Sequence, residues 1–201
     1  MTNSKNLRFE CIRCGNCCTD KNTLVNLTYY DILRIKNGLD LNIQEILDSI
    51  GFYISKEKVS AENLHKMVIA PIETEKGLAF IGLLKKDNGS CYFYDHQKKK
   101  CLIYNLRPLF CRTFPFSYIS NRNNVTIIYT KKGLEYCLGI SEKAPFINLD
   151  YWIKLGKKVF KKLKKNNEII KIWNDNIAKN KKIPSVKNFI KMILNLDKTQ
   201  N

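Results

Sequence analysis

Four cysteines crowd into eight residues, Cys11, Cys14, Cys17 and Cys18, and four more follow at Cys91, Cys101, Cys111 and Cys137. The leading Cys-x2-Cys-x2-Cys-Cys is too dense for ordinary core cysteines and too crowded for a comfortable set of disulfides. Thiolates are soft ligands for zinc and iron–sulfur clusters, and a Cys-x2-Cys spacing lets two sulfurs reach one centre from a tight turn. Metal binding by all eight is the expectation. Neighbouring side chains of an extended or turned backbone diverge, so Cys17 and Cys18 are not expected to grip one small ion together. Eight sulfurs divide into two four-coordinate sets, two tetrahedral zincs or two cubane clusters. One four-sulfur site plus free cysteines satisfies the spacing as well, and the sequence does not partition them.

Zinc and iron–sulfur chemistry compete for these residues. The Cys-x2-Cys-Gly start resembles a zinc knuckle, whereas Cys-x2-Cys-x2-Cys opens many ferredoxin-type runs, although here Cys18 follows at once in place of the usual spaced fourth cysteine. A sulfur-only ligand set with the aromatic neighbours Tyr92, Phe93, Phe110 and Phe114 tips the reading toward an iron–sulfur cluster, [4Fe–4S] favoured over zinc. Arg107 and Arg112 flank Cys111 and are candidates to contact the cofactor, lowering thiolate pKa values or tuning a potential. Bonds to carbonyls, Asp95 or Glu135 are the structural alternative. His96, between Cys91 and Cys101, is a candidate ligand but reads more readily as an exposed loop histidine, and His65 gives less reason still. Asp20 and Asp95 lie near cysteines without a spacing diagnostic of acid–base catalysis. No phosphate-binding glycine loop, nucleophile elbow or dinucleotide fingerprint is present.

The cysteine-rich amino terminus, Cys91-Tyr-Phe, the stretch Cys101-Leu-Ile-Tyr-x2-Arg107-Pro108-x2-Cys111-Arg112-x-Phe114-Pro115 and Cys137 closely resemble the YkgJ-type cysteine-cluster family, also called the CxxCxxCC zinc- or iron-chelating domain. The resemblance spans Cys11 to Cys137 and implies metal or cluster binding. Some members resemble, or are fused into, enzymes that methylate lysines of flagellin, and nothing in residues 138–201 carries that activity over.

Those cysteines must be held by one α+β fold. At 201 residues, 44% apolar, the chain can bury a substantial core without metal. The amino terminus lacks a secretory pattern and the longest apolar run is too short to span a bilayer, so the protein is read as cytoplasmic, where thiols stay reduced. Capping boxes at Thr28/Asp31 and Asn42/Glu45 predict two short helices, ended by Gly38 and Gly51. Runs at 66–72, 78–84, 91–94 and 125–130 predict a small antiparallel sheet, with turns at 75–77 and 87–89. Asn105 to Arg112 is expected to form a helical turn, with Pro108 in its first turn and Cys111 near its end. Trp152, Leu155, Val159, Leu163, Ile170, Trp173 and Ile177 mark one face of a long helix, and Pro184 starts a last one. The division is 1–149 as a cysteine-cluster core and 150–201 as a lysine-rich helical extension packed on it.

The net charge is +17, and residues 150–201 hold 14 lysines against 4 acids, with no arginine. That pattern fits a solvated helix face better than a membrane-surface helix, with nonspecific polyanion attraction expected. Three functions are consistent with the sequence. A metal or iron–sulfur protein working in electron transfer, redox sensing or metal handling, with a protein or redox partner, is preferred. A cluster-dependent enzyme acting on a protein or small molecule needs a concave pocket beside Cys111, and a zinc-stapled interaction module would use the basic tail.

Overall fold

A computed structural model describes residues 6–54, 67–121 and 124–198. A single turn of helix, α1 (Asn16–Thr19), lies within the cysteine-rich start. Both expected capping boxes are present. Thr28 and Asp31 cap α2 (Tyr29–Leu39), and Asn42 and Glu45 cap α3 (Ile43–Ser49), each pair exchanging side-chain and backbone bonds. The predicted stops fall elsewhere. Helix α2 runs through Gly38, and Asp40 takes the left-handed conformation (φ 52°) that ends it. Helix α3 passes directly into strand β1 (Ile50–Ile54), so Gly51 sits in a strand.

Strand β1 pairs with β3 (Gly77–Leu83), which also pairs with β2 (Ile72–Thr74), giving an antiparallel sheet of order β1-β3-β2. The turn at Glu75-Lys76 closes β2–β3 as expected, with Gly77 at φ 99°. The strand expected over 66–72 begins only at Ile72, and both Lys66 and His65 lie outside the described residues. The expected strand 91–94 is instead a small hairpin, β4 (Tyr94–Asp95) with β5 (Lys100–Cys101). Helix α4 (Leu109–Thr113) follows Pro108, which is its N-cap. Strand β6 (Phe116–Asn121), which the sequence reading misses, pairs with β7 (Asn124–Tyr129), and α5 (Lys131–Tyr136) follows.

The long helix α6 (Leu149–Ala178) connects the two sheets, packing on β7 and on β2, and α7 (Val186–Lys198) lies against α2 and α3. Trp152 joins a small core around Phe116 and Ile127. Trp173, fully buried, joins the main core of Ile32, Ile46, Ile72, Phe189 and Ile193. The asparagines of α6 are structural. Asn174 Oδ1 accepts from Glu73 N (2.9 Å) and its amide donates to Pro71 O (3.0 Å), so the open edge beside β2 is covered by a helix. Buried Asn166 accepts from Tyr29 N at the start of α2 (2.8 Å). The lysines of this helix are mostly exposed, as expected of a solvated face. No helix among the described residues is long and apolar enough to cross a membrane.

Candidate metal centre

The cysteine-rich start is tied to the later cysteines at both of its ends. Ahead of Cys11, residues 7–10 run antiparallel to the segment after Cys137. Glu10 N donates to Gly139 O (3.1 Å), Phe9 N to Pro145 O (3.1 Å) and Ile147 N to Leu7 O (3.0 Å). A Cβ at residue 139 would collide with the Glu10 carbonyl, so glycine permits this approach. Behind Cys18, the amide of Cys91 donates to the Cys18 carbonyl at 2.8 Å. Between these ties, Asn16 Nδ2 donates to Tyr136 O (3.0 Å), one residue before Cys137. Gly15 is left-handed (φ 83°), and its carbonyl organises α1 by accepting from Cys18 N and Thr19 N. A side chain there would strike the Tyr94 ring.

These ties bring the first four cysteines to the last four. Cys17, Cys18, Cys91, Cys101 and Cys111 line a cavity of about 360 Å³. Cys11, Cys14, Cys17, Cys111 and Cys137 line an adjoining one of about 40 Å³. Cys17 and Cys111 face both, and so do Arg107 and Phe114. Every cysteine is a free thiol. One local expectation is corrected: the Sγ atoms of Cys17 and Cys18 are 4.0 Å apart. Both lie in α1, a helical turn the sequence reading did not assign. That spacing is close to the edge of a tetrahedral zinc–thiolate site, about 3.8 Å for Zn–S bonds of about 2.3 Å. Among the described residues no group of three Cys, His, Asp or Glu is arranged to hold a metal ion.

Proton sharing links Cys17, Cys18 and Cys101. The hydrogen bond with Cys18 brings Cys17 down to about 7, and Arg107 adds to the shift. The same partner lowers Cys101 to about 7. Cys18, placed between Cys101 and Cys17, is held strongly protonated. Burial pushes the thiols of Cys91, Cys111 and Cys137 upward. Buried thiols become thiolates when a cation replaces their protons, and the donor set therefore suits a metal centre.

The structure separates the two candidate arginines. Arg107 faces both cavities, stacks over Tyr104 (3.9 Å) and donates from Nε to the Tyr104 carbonyl (3.1 Å), the carbonyl bond weighed from sequence. Arg112 lines neither cavity. One position further round α4 than Cys111, it lies beside Arg34 and Lys162. His96 is also away from the cavities, with Nε2 bound to Ser90 Oγ (2.9 Å). Asp95 accepts from Gln97 N and Lys98 N in a turn, and Glu135 is 3.9 Å from Lys131. Of the aromatics, Phe110 and Phe114 line the larger cavity, Phe93 is in the core and Tyr92 is exposed.

Other residues of the larger cavity were not singled out in the sequence. Lys132 forms an ion pair with Asp20 (2.9 Å) and also bonds Thr23, while Tyr136 donates to Asp20 (3.1 Å). Burial alone would raise the Asp20 carboxyl, but bonds from Thr23, Lys132, the Asn22 amide and Tyr136 hold it well below the usual range. Lys85, Thr23 and Asn26 also line the wall. Lysines common throughout the chain gave no signal that three of them border this space.

Residues 10–137 match the CxxCxxCC family, described as a "Putative zinc- or iron-chelating domain". The chain is similar to "Uncharacterized protein MJ0661" of Methanocaldococcus jannaschii, 32% identical over 134 residues, which are 67% of this chain and 59% of that protein. It is also 25% identical over 138 residues to "Uncharacterized protein MJ0939" of the same organism, covering 69% of this chain and 39% of the relative. The match thus spans less than two thirds of the length of either relative. No solved structure matches. With the matching region containing all eight cysteines, the chain belongs to the CxxCxxCC family of zinc- or iron-chelating domains.

Proposed function

We propose that the cysteines hold iron–sulfur chemistry in two adjoining centres and that the protein exchanges electrons with a redox partner. Cys18, Cys91 and Cys101 belong to the larger cavity alone, and Cys11, Cys14 and Cys137 to the smaller. Cys17 and Cys111, which face both, complete the two four-sulfur sets. The observation that supports this reading is that the eight cysteines line two adjoining cavities, five to each with Cys17 and Cys111 shared. A [4Fe–4S] cluster takes four thiolates and brings iron and sulfide of its own, which suits an all-cysteine lining. Arg107, facing both cavities, would offset thiolate charge and raise the reduction potential. Cys11, Cys14 and Cys17 are exposed while Cys91 is buried, giving one centre near solvent and one further in.

Visible spectroscopy of protein purified without air tests the proposal. Broad brown sulfur-to-iron absorption that bleaches with dithionite and returns on reoxidation is expected. Colourless protein that dithionite does not change would overturn it.

A second reading is favoured by one feature, the continuation of the larger cavity beyond its cysteines. A cluster-dependent enzyme needs a place for substrate beside the metal.

A further inference from the structure

We propose that the part of the larger cavity beyond the cysteines is a binding site for a small, mainly apolar molecule carrying one carboxylate. The proposal rests on the metal-centre reading only for what lies beside the ligand.

The whole cavity, the part beside the cysteines included, measures about 360 Å³, within the roughly 300–1,000 Å³ of ligand pockets generally. Leu24, Val25, Leu83, Phe114 and Phe116 give it a largely apolar wall. The charged residues in that wall are Lys85, Arg107, Lys131 and Lys132, and no Asp or Glu lines it. Lys132 is occupied by Asp20, and Lys131 lies 3.9 Å from Glu135. Lys85 donates to the backbone carbonyl of Asp20 and lies near Cys91, and no carboxylate pairs with it among the described residues.

Asn26 supplies a second, independent observation. Its Oδ1 is buried with no hydrogen-bond partner among the described residues. Such an atom is costly unless a ligand or water reaches it. Asn26 and Lys85 belong to neighbouring backbone segments. Leu83 N donates to Val25 O (2.9 Å), Leu27 N donates to Ile81 O (2.9 Å), and Asn26 bridges to Gly82, so Thr23–Leu27 lies antiparallel to the end of β3. Together they supply a cation and an amide to one apolar cavity, the pairing that recognises an apolar carboxylate.

Calorimetric titration of the anaerobically purified protein with octanoate, octanamide and octylammonium tests the assignment. Octanoate should saturate one site, octanamide should bind about tenfold more weakly and octylammonium should give no saturable heat. Lys85→Met should weaken octanoate about tenfold, and Leu24→Trp, which fills the wall, should abolish binding while iron and sulfide content stay at the wild-type level. Absence of saturable octanoate binding by metal-loaded protein would overturn the pocket and leave the metal centre standing. Octanoate binding unchanged in both variants would also overturn it. Specific octanoate binding by protein that carries no metal under any purification would keep the pocket and reject the iron–sulfur reading.

Discussion

Lys162 lies over the ring of Tyr30 (2.8 Å), among cations rather than acids. Partial burial, then Lys158, bring its pKa down to about 8 from the ordinary 10.5, with Arg112 and Arg34 adding to the shift and Asp31 opposing it. Protonated Lys162 therefore costs stability at neutral pH. Between about 8 and 10.5 the folded chain has lost this proton and the unfolded chain still binds it, so this group's contribution to stability rises with pH across that window. Lys162→Met should melt at a higher temperature than wild type at pH 7, and the gap should close as the pH rises through the same window. Equal melting temperatures at neutral pH would show that solvent already screens the cluster. The lysines were legible as an exposed helix face. That one of them lies among Arg34, Arg112 and Lys158 was not, because their proximity is set by packing of α2, α4 and α6.

Asp31 links two elements. Its carboxylate accepts from Thr28 N (3.0 Å) and Thr28 Oγ1 (2.7 Å) to cap α2, and its other oxygen accepts from Leu109 N (2.9 Å), the first residue of α4. That bond helps seat the helix carrying Cys111. Asp31→Ala would leave these buried donors without an acceptor and should cost on the order of 3 kcal/mol in urea denaturation. A loss below about 1 kcal/mol would mean that the surrounding structure re-satisfies them. The Thr28/Asp31 capping box was written locally and could be read from four residues. The bond to Leu109 joins distant parts of the chain and leaves no local pattern. The same distinction explains the strands: Glu75-Lys76-Gly77 announces its hairpin, while β1 follows a helix without a break and β6 is defined by its pairing with β7. The asparagines of α6 looked like composition bias until β2 supplied the backbone groups they bond.

At the scale of the whole molecule, the eight cysteines and their family signature were legible as metal chemistry, but their division was not. Cys91 N bonded to Cys18 O, and Glu10 N to Gly139 O, bring sulfurs more than a hundred residues apart to common cavities. The cavity beyond them arises from side chains whose types carry no signal individually. Metal binding to such a set closes long loops and is linked to folding free energy. The central claim is that early and late cysteines jointly hold two iron–sulfur centres, and iron and acid-labile sulfide analysis of anaerobically purified wild type, Cys14→Ser and Cys101→Ser tests it directly. Wild type should hold iron and sulfide in near-equal amounts, and each variant should keep about half, having lost one centre. Zinc without sulfide in the wild type, or an undiminished iron content in Cys101→Ser, would contradict it.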